Sequence, residues 1–295
     1  MNRDNLELSL FALSKSDGKG VVLRKVLTMA DQLQIIAHRG ASGLAPENTL
    51  SAFNLAVESG AAMIELDVHL TRDHHLAVIH DATVNRTTNG QGAVADFTLA
   101  ELQQLDAGSW FGPEFSGAQI PALTEVIQGV GGRCRLNIEV KQVEAGRNSR
   151  PVEAVLLETL EAAGAAESHL ISSFDWDLLT RIYQLAPQVK LAYLFSFLPW
   201  NLRKRMAGGM LTAIHPRHPI VSGRLIKAAH AQGLQVNVWT VDKPERMRKL
   251  AALGVDGIIT NFPERGLNTE DLFHQLNDHH HQLHQDQPQD NPFHE

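Results

Sequence analysis

The 295-residue sequence predicts an α/β fold, a (β/α)8 TIM barrel with a small insertion after the second barrel strand. Three observations predict it. Short apolar runs alternate with amphipathic helical segments, eight such runs can be counted, and several of them end abruptly in charged or imidazole side chains. Parallel barrel strands deliver functional groups at their carboxyl ends in this way. A doubly wound open sheet is the alternative fold with the same alternation.

The first predicted strand ends in a polar, glycine-punctuated loop. Ile35-Ile36-Ala37 is followed directly by His38 and Arg39, and the loop runs on through two glycines. Thr49 is a candidate N-cap for an amphipathic helix that begins at residue 50, and Gly60 is expected to end that helix. The polar groups after this strand are therefore expected at the barrel mouth.

The second strand is predicted over residues 61–70, and an insertion follows it. The short apolar run at 76–80 is counted with the insertion side and not as a main strand. The insertion itself covers about residues 82–120 and breaks the strand–helix alternation. Within it, Thr98-Leu99-Ala100-Glu101 has the form of a capping box that opens a short helix. We expect this segment to fold over one face of the barrel.

From residue 122 the alternation resumes and supplies the remaining six strands. These are predicted at residues 135–141, 169–173, 189–195, 211–215, 234–240 and 255–260. Helices are predicted at residues 122–130, 151–163, 175–186, 199–207, 222–232 and 244–253. Glycines at 60, 164, 233 and 254 stand where helix C-caps precede strands.

The two ends of the chain lack this patterning, so the barrel domain is predicted over residues 33–267. Residues 1–32 are expected to be a disordered N-terminal extension. Residues 268–295 are polar and hold six of the 15 histidines, including His279-His280-His281. Such composition is typical of a disordered, solvated tail, and adventitious metal binding is its alternative interpretation.

The amino-acid composition limits the classes of binding partner and the cellular compartment that the sequence favours. A formal net charge of −7 argues against nucleic acid or an anionic membrane surface as the main partner, so an anion site must be a local concentration of positive groups. Cys134 is the single cysteine, which excludes an internal disulfide and fits a reducing compartment. No apolar run reaches the roughly 18 residues of a membrane helix. We expect a cytoplasmic protein whose oligomeric state is left open.

Acidic side chains recur near the ends of two predicted strands. Residues two apart on a strand share a face, so Glu65 projects with Asp67, and Glu139 projects with Lys141. Two like charges 4 Å apart repel by roughly 4 kcal/mol at an effective dielectric of about 20. A divalent cation would neutralise the three carboxylates, and oxygen-only ligands favour Mg2+ or Ca2+. The alternative is a structural network in which Arg39 and Lys141 pair with the acids.

Cations and histidines fall at the same predicted strand ends. Arg39 and Lys141 suit a phosphate anion, Arg through its planar fork and Lys as a point charge. His38 and His80 could supply a base and an acid, because imidazole titrates near neutral pH, although a histidine at a strand end also serves structural roles. His215 and Trp239 end later strands.

An ordered set of short motifs resembles the glycerophosphodiester phosphodiesterase (GDPD) family, in its bacterial cytosolic form. The resemblance covers about residues 34–265. Its motifs are His38-Arg39-Gly40, Pro46-Glu47-Asn48-Thr49, Ile64-Glu65-Leu66-Asp67-Val68, Thr71-Arg72-Asp73, His80-Asp81, Ile120-Pro121-Ala122-Leu123, Ile138-Glu139-Val140-Lys141, Val238-Trp239-Thr240-Val241-Asp242 and the segment from Asp256 to Pro263. Each is weak alone, but the ordered set is specific. Ala145-Gly146-Arg147-Asn148 is less typical and is expected to alter the mouth of the site.

The resemblance implies metal-dependent hydrolysis of glycerophosphodiesters, the deacylated phospholipids, to sn-glycerol 3-phosphate and an alcohol. Carried over by position, the acid/base pair is His38 and His80. The metal ligands are Glu65, Asp67 and Glu139, and the phosphate ligands are Arg39 and Lys141. Trp239 is assigned as an apolar wall for glycerol, with barrel packing as its alternative, and Glu47 as a residue that orients a ligand or its loop.

Two other functions stay open. One is a lipid-directed phosphodiesterase on the same barrel, such as a lysophospholipase D or sphingomyelinase D-like enzyme. The absence of a signal peptide, of disulfide cysteines and of an exposed apolar stretch disfavours it. The other is a non-catalytic barrel that binds phosphate or metal. The head-group alcohol, the physiological metal, the assignment of acid and base, and the nucleophile are left undecided.

Overall fold

Eight parallel strands close into a barrel in the computed structural model, which describes residues 33–130, 132–141 and 150–267. The strands are β1 Gln34–His38, β2 Met63–Leu70, β3 Leu76–Val78, β4 Arg135–Val140, β5 Leu170–Ser173, β6 Lys190–Phe195, β7 Ala213–Pro216, β8 Gln235–Val238 and β9 Gly257–Thr260. β3 stands outside the barrel, because it pairs antiparallel with β2 while the other eight pair in parallel.

The pairings of β1 decide between the two predicted folds. Ile36 on β1 lies opposite Met63 on β2 and opposite Ile259 on β9, so the first strand joins both the second and the last. Because β1 has a hydrogen-bonded parallel neighbour on each side, it is not an edge strand, and the sheet closes at this point. The closed barrel with its insertion is confirmed, and the open doubly wound sheet is excluded.

Helices fill the connections between the strands. They are α1 Leu50–Glu58, α2 Leu99–Leu102, α3 Leu123–Val130, α4 Val152–Ala162, α5 Trp176–Leu185, α6 Leu202–Met206, α7 Gly223–His230, α8 Pro244–Leu253 and α9 Pro263–Leu267. Thr49 caps α1 through its side chain, as predicted. The glycines predicted to end helices, Gly60, Gly164, Gly233 and Gly254, all adopt positive φ.

The barrel interior changes from apolar to polar along its axis. Its lower part is a cluster of buried residues from six strands, namely Ile36, Met63, Leu170, Ala192, Ala213 and Ile259. Nearer the carboxyl ends of the strands, the inward side chains are buried polar groups, namely Glu65, Asn137, Ser172, His215 and Asn237. Functional groups at the barrel mouth therefore rest on a polar layer rather than on hydrocarbon.

The insertion has a small core of its own over β2 and β3. The predicted capping box is present, with Thr98 and Glu101 bonding reciprocally at the start of α2. Seven buried residues pack together, namely Ala77, Ile79, Val84, Val94, Leu102, Ala107 and Ile120. This core anchors the segment that follows β3 and that bears His80.

The connection between β6 and α6 differs from the prediction. A helix is predicted from residue 199, but α6 begins at Leu202. The expectation of no exposed apolar stretch is wrong, since Phe197 is 79% exposed, Leu198 59% and Trp200 96%. The sequence is misleading here because only Ser196 separates these residues from the apolar run of β6, and such a near-continuous apolar segment is typical of buried structure.

Cys134 is buried, as expected, and burial raises the pKa of its thiol. Within the described ranges, no helix is long and apolar enough to cross a bilayer. The predicted extension at 1–32, the predicted tail at 268–295 and Ala145-Gly146-Arg147-Asn148 lie outside the described residues.

Candidate active site

The loop after β1 is shaped by two consecutive residues in left-handed backbone. His38 ends the strand, and then Arg39 takes a φ of 55° and Gly40 a φ of 82°. This turn points the Arg39 N–H at Glu65, whose Oε2 accepts it at 2.9 Å. The first strand's polar groups are thus tied to the second strand's acid at the barrel mouth.

Three predicted metal ligands come together. Parallel pairing places Asp67 of β2 opposite Glu139 of β4, and Glu65 lies two residues before Asp67 on the same face. One carboxylate oxygen from each of the three lies within 4.8 Å of the other two, and all three side chains are buried. A group of this geometry can hold a cation.

The electrostatics of this acid cluster indicate a shortage of positive charge. Burial and the neighbouring carboxylates raise the pKa of Glu65 well above its usual value, and burial with Asp67 raises the pKa of Glu139 to about 7. Burial also acts against ionised Asp67, but Lys141 and Arg39 more than offset it and hold that pKa low. The two cations therefore outweigh burial at Asp67 but not at Glu65 or Glu139.

The salt-bridge network that the sequence analysis gave as the alternative to a metal site is present in part. Lys141 Nζ lies 2.7 Å from Asp67 Oδ1 and also bonds Glu139, while Arg39 Nε lies 3.3 Å from Asp67 Oδ2. Glu65 Oε1, in contrast, is buried and has no hydrogen-bond partner among the described residues. A buried carboxylate oxygen without a donor needs a partner, and an all-oxygen site fits a hard cation.

His38 is held by a residue from the last barrel strand. Its Nδ1 lies 2.7 Å from Asn261 Oδ1. The Asn261 amide is itself oriented, because its Nδ2 donates to the Asp242 carboxylate at 2.8 Å. Nδ1 of His38 must therefore carry the hydrogen, which leaves the Nε2 lone pair free on the side of Glu65, whose Oε2 is 4.0 Å away. Burial, reinforced by Arg39, lowers the pKa of His38 to about 4.

His80 is held in the same way through Nδ1, but by an acid on its own loop instead of an amide. Its Nδ1 donates to Asp81 Oδ1 at 2.6 Å, which again leaves Nε2 as the free nitrogen. Arg86 bonds Asp81 from the other side and lowers the pKa of that carboxyl to about 2. Arg86 also bonds both oxygens of Glu47, whose Oε1 accepts in turn from Arg39 at 2.8 Å.

Lys141 and Glu139 open onto a cleft of about 530 Å³. Its wall includes Phe174 and Tyr193. Trp239 meets Phe174 edge to face, with ring centroids 5.5 Å apart, and its indole N–H donates to the backbone of His215. Trp239 thus packs against the barrel and also supports the aromatic wall beside the acid cluster.

The structure adds residues that the sequence analysis did not assign. Asn48 takes a φ of 59° and donates to Asp67 at 2.8 Å. Asp81, Arg86, Asp242 and Asn261 hold the histidines and Glu47. Four of the five lie in the quoted motifs, so their presence there was the signal, and Arg86 had none. His215, named at a strand end, is buried and contacts Asn237 below the acid cluster.

Comparison with known proteins decides the family. The profile of the Glycerophosphoryl diester phosphodiesterase family matches residues 38–265, which include every residue assigned to the site. The chain belongs to this family. The resemblance found in the motifs is confirmed, and the protein is accordingly a phosphoric diester hydrolase.

Relatives within the family match along most of their own lengths. A glycerophosphodiester phosphodiesterase of Caldanaerobacter subterraneus subsp. tengcongensis is 42% identical over 239 residues, 79% of this chain and 96% of the relative. One of Bacillus subtilis is 31% identical over 274 residues, 85% and 88% respectively. The structure of an Oleispira antarctica phosphodiesterase in complex with the product sn-glycerol-3-phosphate superposes with a TM-score of 0.75 at 32% identity, covering 81% of this chain and 96% of that one.

Proposed function

We propose that the protein hydrolyses glycerophosphodiesters to sn-glycerol 3-phosphate and an alcohol, with Mg2+ or Ca2+ as cofactor and His38 and His80 as the acid/base pair. One observation supports this most. Two imidazoles, each bonded through Nδ1 and with no hydrogen bond at Nε2 to the described residues, belong to the same site as a buried acid cluster, one oxygen of which also lacks a donor among those residues. The names of the relatives supply the substrate class.

The phosphate is proposed to bind at Arg39 and Lys141. Both cations touch Asp67, so each is oriented toward the acid cluster before the substrate arrives. Glu47 holds the Arg39 guanidinium and is assigned to positioning it. Trp239 is assigned to the apolar carbons of glycerol, where it continues the wall formed by Phe174.

Glu65, Asp67 and Glu139 are proposed to hold the cation. When bound, the cation supplies charge stabilisation for the phosphoryl oxygens. The three acids would keep the cation beside Arg39 and Lys141. Because these charged groups are already in place before the reaction, no solvent has to reorganise as charge develops.

The two histidines are proposed to move the protons. One accepts the proton of the attacking hydroxyl at Nε2 as a new P–O bond forms. The other donates a proton to the alcohol oxygen as the second P–O bond breaks, so that one proton is taken up and one released. The attacking hydroxyl is water or the neighbouring glycerol hydroxyl. The glycerol hydroxyl would give a cyclic phosphodiester, which water then opens to sn-glycerol 3-phosphate in a second step with the two histidines in exchanged roles. The assignment of acid and base is left open.

The test is release of sn-glycerol 3-phosphate from glycerophosphocholine, coupled to glycerol-3-phosphate dehydrogenase. His38→Ala or His80→Ala is expected to lower turnover at least about a hundredfold, because a general acid or base contributes on that order. His230→Ala, on an exposed helix end away from the site, is the matched control. Near-normal turnover in either active-site variant removes that histidine from the mechanism.

A lipid-directed phosphodiesterase is the second candidate, and the exposed apolar segment at 197–200 favours it more than the sequence did. Comparing glycerophosphocholine with lysophosphatidylcholine in the same assay separates the two. Cytoplasmic location and absence of nucleic-acid binding are retained as proposals, supported by one buried cysteine and the acidic net charge.

The barrel domain is proposed to span residues 33–267. The first strand begins at Gln34, and α9 ends at Leu267. Limited proteolysis that removes only the two ends and leaves a core of that size supports these bounds, whereas early cleavage within the barrel contradicts them.

A further inference from the structure

The connection from β6 to α6 presents apolar side chains to solvent. Phe197, Leu198 and Trp200 are 79%, 59% and 96% exposed, and they occupy four consecutive positions with Pro199. We call these four residues the apolar loop. Single exposed apolar residues are ordinary, but a contiguous group with two large aromatics marks an interaction site.

Basic residues follow the apolar loop directly. Arg203 and Lys204 on α6 are exposed, one turn beyond Trp200. The surrounding sequence is also one-sided: residues 178–241 contain eight Lys or Arg and neither Asp nor Glu, a formal charge of +8 in a chain of −7. Arg217 and Arg224, on the next connection of the barrel, are exposed as well. The loop therefore lies in a basic region of an acidic protein.

The apolar loop leads directly into α6, which is packed against the barrel. Leu202 and Met206 of α6 are buried, and Arg205 stacks between Trp176 and Tyr193 at 4.5 and 4.7 Å from their ring centroids. These contacts turn one side of α6 toward the barrel, which leaves Arg203 and Lys204 in solvent. An apolar loop carried on a packed helix loses little conformational freedom on binding.

The loop also lies beside the candidate active site. Arg205 and Tyr193 line the same cleft as Glu139 and Lys141. The asymmetry of a (β/α)8 barrel places every strand-to-helix connection on the face where the strands end. A partner held by the apolar loop would therefore face the cleft.

We propose that the apolar loop, with Arg203 and Lys204, docks the protein peripherally on an anionic phospholipid surface. Aromatic side chains next to Lys and Arg have the chemistry of the membrane interface, where rings enter the headgroup region and cations meet anionic lipids. In a two-fold dimer the loop and its basic residues would face their own copies, and the like charges would repel, so the basic charge favours an anionic surface over a second copy of this chain. Docking brings the cleft to a surface from which lipid-derived phosphodiesters come.

The experiment is co-sedimentation of the full-length chain with vesicles of phosphatidylcholine containing one part in three of phosphatidylglycerol. Binding to these vesicles and much weaker binding to pure phosphatidylcholine are expected. Each basic residue at such a surface contributes about 1 kcal/mol, roughly fivefold in partitioning. Arg203→Gln/Lys204→Gln and Phe197→Ser/Trp200→Ser are each expected to reduce partitioning at least about tenfold.

Matched controls change the same chemistry elsewhere. Leu185→Ser/Leu253→Ser replaces exposed leucines at the ends of α5 and α8, on the opposite side of the barrel. Arg133→Gln/Lys249→Gln removes two exposed basic residues that lie outside the 178–241 region. Both controls are expected to bind as the wild type does. Circular dichroism and turnover of soluble glycerophosphocholine, expected within about twofold of wild type, show that the loop variants are folded.

Three results would overturn the proposed docking on anionic vesicles. Absence of wild-type binding at low salt overturns the proposal, as does binding that the loop variants leave unchanged. A wild-type dimer in sedimentation velocity that Phe197→Ser/Trp200→Ser converts to monomer assigns the loop to a subunit interface instead and also overturns it. Vesicle binding requires no turnover, so failure here is distinguishable from failure of the proposed hydrolysis.

Discussion

At the scale of single residues, each histidine is defined by an acceptor on its Nδ1. His38 faces an amide oxygen and His80 a carboxylate, so both have the tautomer that exposes Nε2. The acceptors differ in charge, however, and only Asp81 can stabilise an imidazolium strongly. The two imidazoles therefore have the same tautomer and expose the same nitrogen, but the charge next to Nδ1 differs between them.

Asn261→Leu is expected to lower kcat at least about tenfold, because loss of the acceptor frees the tautomer and the orientation of His38. The reaction is assayed with glycerophosphocholine, and KM is expected to change less than kcat. Ser42→Ala is the control, since it removes a neighbouring hydroxyl 2.9 Å from the same amide oxygen and leaves the Asn261–His38 bond. Equal effects of the two changes would contradict a positioning role for Asn261.

Glu65→Gln is expected to weaken Mg2+ or Ca2+ binding at least about tenfold, because it removes a charge from the oxygen that lacks a donor. Isothermal titration of the metal-free protein measures this without turnover. Excess chelator is expected to abolish wild-type activity. Glu58→Gln, on the exposed end of α1, is the control, and full activity in chelator contradicts metal dependence.

At the scale of elements, the loop from β1 to α1 depends on one glycine. Gly40 has a φ of 82°, and a Cβ there would lie 2.6 Å from the backbone carbon of Ala52 in α1. No rotation of a side chain relieves contact with helix backbone. The loop that orients His38 and Arg39 therefore closes onto α1 only with glycine at this position.

Gly40→Ala is expected to destabilise the protein by more than about 2 kcal/mol, since left-handed strain alone costs about 1–2 kcal/mol and the contact adds to it. Urea unfolding measures the difference. Gly60→Ala is the matched control: Gly60 has a φ of 80° and no atom within 4 Å of the added Cβ, so it isolates the strain. Equal losses would show that the contact with α1 does not matter.

The sequence predicted the elements well because their signals are local. The alternation of short apolar runs with helical segments identified all eight barrel strands. Thr49 and Thr98 correctly predicted the start of the helices that they cap. The same locality explains the failure at the apolar loop. Whether Phe197 is buried depends on what lies opposite in space, and the composition of the segment does not contain that information.

The site was predictable where residues share a strand and not where they meet across the barrel. Glu65 and Asp67 follow from a spacing of two. That Asn261 would bond His38, or that Arg86 would join Asp81 to Glu47, depends on barrel closure and on the path of the insertion. Such pairings appear only once the tertiary structure is known.

At the scale of the whole molecule, the polar layer inside the barrel links stability to pH. His215 is fully buried, and burial lowers its pKa to about 3. Its ring nitrogen Nε2 accepts from Asn237, so the neutral form is the one that the folded barrel accommodates. In the unfolded chain, the same imidazole takes up a proton near its ordinary value of 6.5.

The direction in which His215 changes stability with pH follows from which state takes up the proton. Below pH 6.5 the unfolded state binds a proton that the folded state does not bind until about pH 3, so His215 lowers stability as the pH falls through this window. His215→Gln removes the effect. The stability gap between wild type and variant is expected to change by up to about 1.4 kcal/mol per pH unit, measured by urea unfolding between pH 6.5 and 4.5. Parallel stability curves contradict the assignment.

The bond between His38 and Asn261 joins positions 223 residues apart. During synthesis, the amino-terminal half of the barrel leaves the ribosome long before its partner strand exists. A nascent or prematurely terminated chain therefore contains most of the reactive groups but has its first imidazole unrestrained. Hydrolytic competence is expected to arise abruptly, when the ninth strand closes the sheet and Asn261 reaches His38.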